Sequence, residues 1–188
     1  MPDDFTEVFD EHVWSVYDFF AYRLSSRDEC EDLTQATFER ALRAWGRYDP
    51  ERSQPRTWLL AIARNMLIDF YRRDRSRSHT ALGEPGARDE DLPIVAGPEE
   101  SDLGLSPELA AALGKLGDRE RELLALRFGG DLTGPEIADE LGLSLANVQQ
   151  ILSRALRRLR ADLEGWPDSG SGSERADARE AHSRHQQQ

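Results

Sequence analysis

Residues 133–160 leave the backbone little choice. Thr133 and Glu136 stand at the spacing where a hydroxyl and a carboxylate cap each other's backbone N–H groups. Pro135 falls in the first turn, where a missing N–H costs little. Ile137, Ala138 and Leu141 form one apolar stripe. Gly142 supplies the positive φ that ends a helix, and Ser144 is placed to cap the next one. Leu145, Val148, Leu152, Ala155 and Leu159 then recur at helical spacing and should face a core. Asn147, Gln149, Gln150, Ser153, Arg154, Arg157, Arg158 and Arg160 are left on other faces. Two helices, a tight turn and a basic end make a helix-turn-helix, which lays its second helix in the DNA major groove. An ordinary helical hairpin with a solvated face would explain the stripes, but not the caps, the turn and the basic end together.

The rest of the chain is acidic, so its charge has to be divided before it is used. Of a net −12 over 188 residues, half lies in residues 78–105, where one Arg faces seven acids. The flanking segments are nearly balanced and their positive groups are clustered: Arg72, Arg73, Arg75 and Arg77, then Arg154, Arg157, Arg158 and Arg160. Clustered positive charge is what phosphate contacts need, while the negative total predicts weak non-specific DNA binding by the free protein. Every basic residue except Lys115 is Arg, which suits bidentate contacts to phosphate and guanine. So uniform a bias is also what genomic base composition alone would leave.

No run of 18 apolar residues occurs, and the first residues, Met-Pro-Asp-Asp-Phe, lack an apolar signal core. Both observations point to a soluble cytoplasmic protein. Cys30 cannot form an internal disulfide, and no Cys/His cluster offers a metal site, so neither metal nor cofactor is expected. Between Glu29 and Glu31 the thiol is expected to be structural rather than reactive.

The periodicity predicts an all-α protein of two small helical domains joined by a flexible acidic linker, with the helix-turn-helix in the second. Residues 1–77 form the first domain, 78–105 the linker, 106–165 the second domain and 166–188 a disordered tail. Phe5, Val8, Phe9, Val13, Val16, Tyr17, Phe20 and Leu24 mark a first helix from about residue 4 to 24. Ser25 or Ser26 can cap a second, which runs to about Trp45. A loop over Gly46 to Arg56 leads to a third helix from about Thr57 to Arg75, with Leu59, Ile62, Ala63, Met66 and Phe70 inward. In the second domain a short helix runs from Pro107 to about Leu116, and Asp118 caps another that ends at Gly129-Gly130.

The third helix mixes aromatics with arginines: Trp58, Arg64, Asn65, Phe70, Tyr71, Arg72 and Arg73. Such a mixture can stack unpaired bases and hold phosphates, at roughly 1–3 kcal/mol per stacked base. A core helix with one wet face would look similar, and Trp58 and Phe70 suit a core in either case. Three strings settle the comparison: Asp32-Leu33-Thr34-Gln35-Ala36-Thr37-Phe38-Glu39-Arg40-Ala41, then Trp58 through Arg73, then the helix-turn-helix. In that order they resemble the bacterial RNA polymerase sigma factors, most of all the short extracytoplasmic-function type. The resemblance covers about residues 5–77 and 107–163.

The resemblance implies a specificity subunit that binds core RNA polymerase and directs promoter-specific initiation, with no catalysis of its own. The second helix would dock on the clamp coiled coil of the largest polymerase subunit through Asp32, Gln35 and Phe38, and the polymerase flap would meet the second domain. Ala36 stands where the family often has Glu. The third helix and its preceding loop would bind and help open the −10 element of promoter DNA, a flipped base lying near Gly46–Arg56. Arg64, Asn65, Tyr71, Arg72 and Arg73 would support that strand. The second domain would read the −35 element. There the family commonly has Thr-Val-Lys/Arg-Ser-Arg, and this chain has Asn147-Val148-Gln149-Gln150-Ile151, so two usual basic positions are Gln149 and Ile151. Gln can read adenine bidentately. The expected readers are Asn147, Gln149, Gln150, Ser153 and Arg154, with Arg157 and Arg158 on phosphates. The acidic linker would thread toward the polymerase cleft, or serve only as a tether. An anti-sigma protein is a further implied partner, and the bound protein would be nucleoid-associated.

Two other classes compete. A stand-alone helix-turn-helix regulator explains residues 107–163 but not the aromatic-Arg helix or the Asp-Leu-Thr-Gln string. An enzyme would need a nucleophilic or ligand set, and His12, His79, His182 and His185 show no ligand spacing.

Overall fold

The computed structural model describes residues 4–82 and 106–164. The tail and the linker beyond residue 82 lie outside these residues. All regular elements within them are helical. Asp4 caps α1 (Phe5–Ala21) and Ser26 caps α2 (Arg27–Ala44), each accepting a backbone N–H with its side chain. A 3-10 turn at Trp45–Arg47 follows. Then comes α3 (Pro55–Leu82), whose first residue is the proline expected to lie in the loop. The helix runs on past residue 77, so the first five residues of the expected linker are helical.

The second domain holds α4 (Pro107–Gly114), α5 (Asp118–Leu124), a π turn at Ala125–Gly129, α6 (Gly134–Leu141) and α7 (Leu145–Glu164). Gly117, not Asp118, is the N-cap of α5, because Glu120 reaches back to the Gly117 N–H. Asp118 is occupied elsewhere, as described below. The turn into α7 follows local chemistry closely. Thr133 and Glu136 form a reciprocal capping box, Gly142 adopts φ 63°, and Ser144 accepts the Asn147 N–H at 3.2 Å.

One hydrophobic cluster runs through both domains. It joins Val8, Val16, Phe19 and Phe20 of α1 and Leu59, Leu60, Ala63, Leu67 and Tyr71 of α3 to Leu123, Leu126, Leu132, Ile137 and Val148 of the second domain. A smaller cluster of Leu113, Leu116, Leu124, Ala155 and Leu159 ties α4 and α5 to α7. The burial on α3 differs from the single stripe expected: Leu60, Leu67 and Tyr71 are buried, while Ile62, Met66 and Phe70 are half-buried. α3 packs on α1 and α2 with one side and on α6 with another, so it has two inward faces. Leu145, expected inward, is 40% exposed, because it opens α7 and lies at its edge beside Gly134.

Candidate nucleic-acid and partner interfaces

Side chains of α7 build the first surface. Val148 in the large cluster and Ala155 and Leu159 in the smaller one fix one face inward, and Ile151 packs beside Val148's cluster from a half-buried position. Asn147, Gln149, Gln150, Ser153, Arg154, Arg157 and Arg158 are all exposed, so the expected reader set is presented outward by one element. Arg157 Nε donates to the Ser153 carbonyl at 3.3 Å, and Arg158 reaches Glu120 at 2.8 Å. That face is presented outward, with Arg157 resting on its own helix backbone and Arg158 tied to a neighbouring carboxylate.

The loop before α3 is held by an aromatic stack. Trp45 and Tyr48 lie parallel at 4.9 Å, Trp58 closes on both, and the Tyr48 hydroxyl donates to the Ser53 carbonyl at 2.8 Å. Asn65, Asp69, Arg72 and Arg73 fall on adjacent turns of one side of α3. Asn65, Arg72 and Arg73 are exposed there, and Arg72 lies 3.6 Å from Asp69. Tyr71 does not belong with them. It is 1% exposed and donates its hydroxyl to the Arg23 carbonyl at 2.8 Å, which makes it a core residue. The expectation that it contacts DNA is corrected: it comes six residues after Asn65, about one and two-thirds turns, so it lies about 120° around the helix from Asn65, on the inward side.

Arg64 turns toward the second domain. Its Nε donates to Glu122 at 2.7 Å, and Arg119 reaches the other oxygen of that carboxylate. Burial pushes the Glu122 carboxyl up, yet the bonds and charges of Arg64 and Arg119 outweigh it and hold the group below its ordinary value. Glu140 is raised, by burial first and by Glu122, with Arg64 opposing. Arg56, the second residue of α3, pairs with Asp131 at 2.8 Å. Asp131 has φ 53°, a left-handed conformation that Asp tolerates better than most residues.

A buried polar group joins the two domains nearby. Arg23 donates to the Asp118 carbonyl at 2.7 Å, and Arg121 binds the Asp118 carboxylate at 3.0 Å. Arg23 Nη2 also lies 3.9 Å from that carboxylate, so two guanidinium groups share it; burial and the neighbouring Arg23 charge lower the Arg121 pKa. The Nε atoms of Arg23, Arg56 and Arg121 are buried without a protein partner. An unmade hydrogen bond of this kind costs about 1–3 kcal/mol. Beside them, Gly129 sits so close to α1 that a Cβ would lie 2.7 Å from the Asp18 and Phe19 backbone.

The third surface is a groove of about 800 Å³ between α1 and α2. Phe38 forms its floor, 4% exposed and edge-on to Phe5 and Phe9. Asp32 and Gln35 are exposed on α2, and Gln35 donates to Glu39 at 3.1 Å. Of the three residues expected to dock on polymerase, Phe38 is thus set below the surface while Asp32 and Gln35 stand on it. Phe9, Trp14 and Leu42 are 39%, 61% and 57% exposed, an apolar rim that sequence reasoning missed. Phe9 fitted the inward stripe by spacing, and Trp14 lay off it; that off-stripe aromatic was the available signal. Exposed apolar groups grouped around a groove mark an interaction surface. No group of His, Cys, Asp and Glu among the described residues could hold a metal ion, and no described helix is long and apolar enough to cross a membrane.

Residues 8–77 match the family model for sigma-70 region 2, and residues 112–161 match that for sigma-70 region 4. The chain is 36% identical over 168 residues to the ECF RNA polymerase sigma factor SigC of Mycobacterium tuberculosis, covering 89% of this chain and 85% of that protein. It is 32% identical over 159 residues to the ECF sigma factor BldN of Streptomyces coelicolor, covering 84% of this chain and 59% of that longer protein. Among solved structures, sigma factor RpoE of Bartonella quintana, in complex with the anti-sigma factor NepR, superimposes with a TM-score of 0.65. There the sequence identity is 24%, with 89% of this chain and all of the other covered.

Proposed function

Because the chain belongs to the extracytoplasmic-function group of RNA polymerase sigma factors, we propose that its three surfaces divide the work of initiation. The protein binds core RNA polymerase and directs it to specific promoters; it is not a stand-alone regulator. Sigma factors do this without chemistry of their own. Residues 1–77 act as the core-binding and −10 module, and residues 106–165 as the −35 module. Asp32 and Gln35 bind the clamp coiled coil of the largest subunit at the edge of the α1–α2 groove, with Phe38 supporting the floor. An anti-sigma protein would compete for that apolar groove. The polymerase flap meets the second domain. Arg64, Asn65, Arg72 and Arg73 hold the −10 strand, and Tyr71 keeps the helix that carries them in place. On α7, Asn147, Gln149, Gln150, Ser153 and Arg154 read base edges while Arg157 and Arg158 take phosphates. The protein works in the cytoplasm, on the nucleoid when polymerase-bound.

The observation that carries this reading is the exposed polar face of α7, held outward by its buried stripe on the same chain as the α1–α2 groove. Run-off transcription with bacterial core polymerase on a promoter library, followed by sequencing of start sites, tests it. Start sites that move to a shared −35/−10 pattern are expected. Unchanged start sites in the presence of the protein would overturn the assignment.

A further inference from the structure

The loop between the 3-10 turn and α3 closes on itself in two stages. Its tip is local. In Asp49-Pro50-Glu51-Arg52 the Asp49 carboxylate accepts the Glu51 N–H at 3.0 Å, and the Asp49 carbonyl accepts the Arg52 N–H at 3.1 Å. Pro50 suits the second position of such a turn. All four residues are exposed, so the tip has no core to hold it. What ties it down is Tyr48. Its ring lies parallel to Trp45, the planes 9° apart, and 5.0 Å from Trp58, so the 3-10 turn and the start of α3 both fix it. From there the hydroxyl reaches across the neck of the loop to the Ser53 carbonyl at 2.8 Å. Among the described residues it makes the one side-chain bond that joins the two ends of this loop. Tyr48 is half-buried, and burial and the Asp49 charge push its pKa up, so the hydroxyl keeps its proton and stays a donor.

Resting on the sigma-factor reading above, we propose that Tyr48 is a positioning residue for base selection. Its hydroxyl locks residues 49–53 in one shape, so the flipped base of the −10 strand meets a wall that is already formed. A loop ordered only on binding gives up part of its contact energy to that ordering, and it can reshape itself around a wrong base. A loop fixed beforehand does neither. Tyr48 acts here through the Ser53 carbonyl and the tip beyond it, not by touching DNA. Ring and hydroxyl have separate tasks. The ring belongs to the stack that joins Trp45 to Trp58, and the hydroxyl alone closes the neck. Phe at this position keeps the first and loses the second.

Tyr48→Phe in the full chain is the test, read on single-stranded oligonucleotides that carry the −10 sequence recovered by run-off transcription. Each position is replaced in turn by every other base. The wild-type chain should show its sharpest preference at one position, that of the flipped base. There Tyr48→Phe should reduce discrimination about fivefold, the worth of one neutral hydrogen bond, and leave the other positions as they were. Hydrogen exchange at the Arg52 N–H should quicken. Exchange at the Trp58 N–H, bonded to the Gln54 carbonyl at 3.1 Å, should match wild type, because the start of α3 is undisturbed. Asp49→Ala leaves the aromatic stack alone and frees the Glu51 N–H, so it should relax the same position and no other. Wild-type discrimination in Tyr48→Phe would overturn the proposal. So would an equal loss at every position, which is what a residue that only holds the domain together gives. Run-off transcription by the wild-type chain is measured alongside. If it succeeds and either of those results is found, only the role of Tyr48 falls. If it selects no promoter, the sigma-factor reading falls.

Discussion

Tyr71→Phe separates a core role from a DNA role at the position where sequence and structure disagree. The ring is 1% exposed, and its hydroxyl gives one hydrogen bond, 2.8 Å long, to the Arg23 carbonyl. The substitution keeps the ring, and with it the Arg23 guanidinium 5.8 Å above the ring centre. It removes one buried bond of a neutral donor, for which the net loss is about 0.5–1.5 kcal/mol. In a chain of this size each kcal/mol moves Tm by about 2–4 °C, so a fall of roughly 1–6 °C is expected in calorimetry. Affinity for a single-stranded oligonucleotide carrying the −10 sequence should not fall, because the hydroxyl is turned inward onto the Arg23 carbonyl. A variant with wild-type Tm and several-fold weaker oligonucleotide binding would refute the core assignment and return Tyr71 to the DNA-binding set.

Three further outcomes are expected. His12 is buried, and burial, aided by Arg56 and opposed by Glu11, lowers its pKa below 6.5, so the folded protein favours neutral imidazole. The unfolded chain then binds more protons at low pH. Stability held above about pH 6.5 should be lost as pH falls, and His12→Gln should flatten that part of the urea-unfolding profile. Cys30 is wholly buried with its thiol pushed up to about 12, first by burial and then by Glu29 and Glu31. A thiol reagent at mildly alkaline pH should leave the native protein unmodified and react fully once it is denatured. Arg154→Ala should cost about 1–3 kcal/mol on the preferred −35 duplex and relax one base position, whereas Arg157→Ala should weaken all sequences and reduce the salt slope by about one. Competition binding over a range of salt concentrations distinguishes the two.

What the sequence made legible was local. A capping box, a positive-φ glycine and a serine cap are decided within four residues, so Thr133, Glu136, Gly142 and Ser144 could be assigned before any packing was known. The exposed face of α7 followed, because α4, α5 and α6 all meet the helix and its buried residues Val148, Ala155 and Leu159 leave the other side to solvent. α3 was harder. Its two packing partners lie on different sides, so a single periodic stripe found Leu59 and Ala63 but not Leu60, Leu67 or Tyr71. Gly129-Gly130 looked like a plain helix end. The reason for glycine there is a backbone contact with Asp18 and Phe19, more than a hundred residues away in sequence. The pairing of Arg64 with Glu122 is equally non-local, since nothing in either neighbourhood names the other partner.

The hydrophobic cluster that crosses from α1 and α3 into Leu126, Leu132, Ile137 and Val148 bears on how readily such proteins can be recombined. Grafting a foreign −35 reader onto residues 1–77 would give a chimaera whose two halves were never selected to fit. Matching the recognition helix alone would leave Phe19 and Leu60 facing an unfamiliar surface, and any side chain in place of Gly129 would strike the α1 main chain. A transplant that carries Leu123 through Leu132 with it keeps the joint intact, so the natural unit of exchange here begins at the start of α5 rather than at the helix-turn-helix.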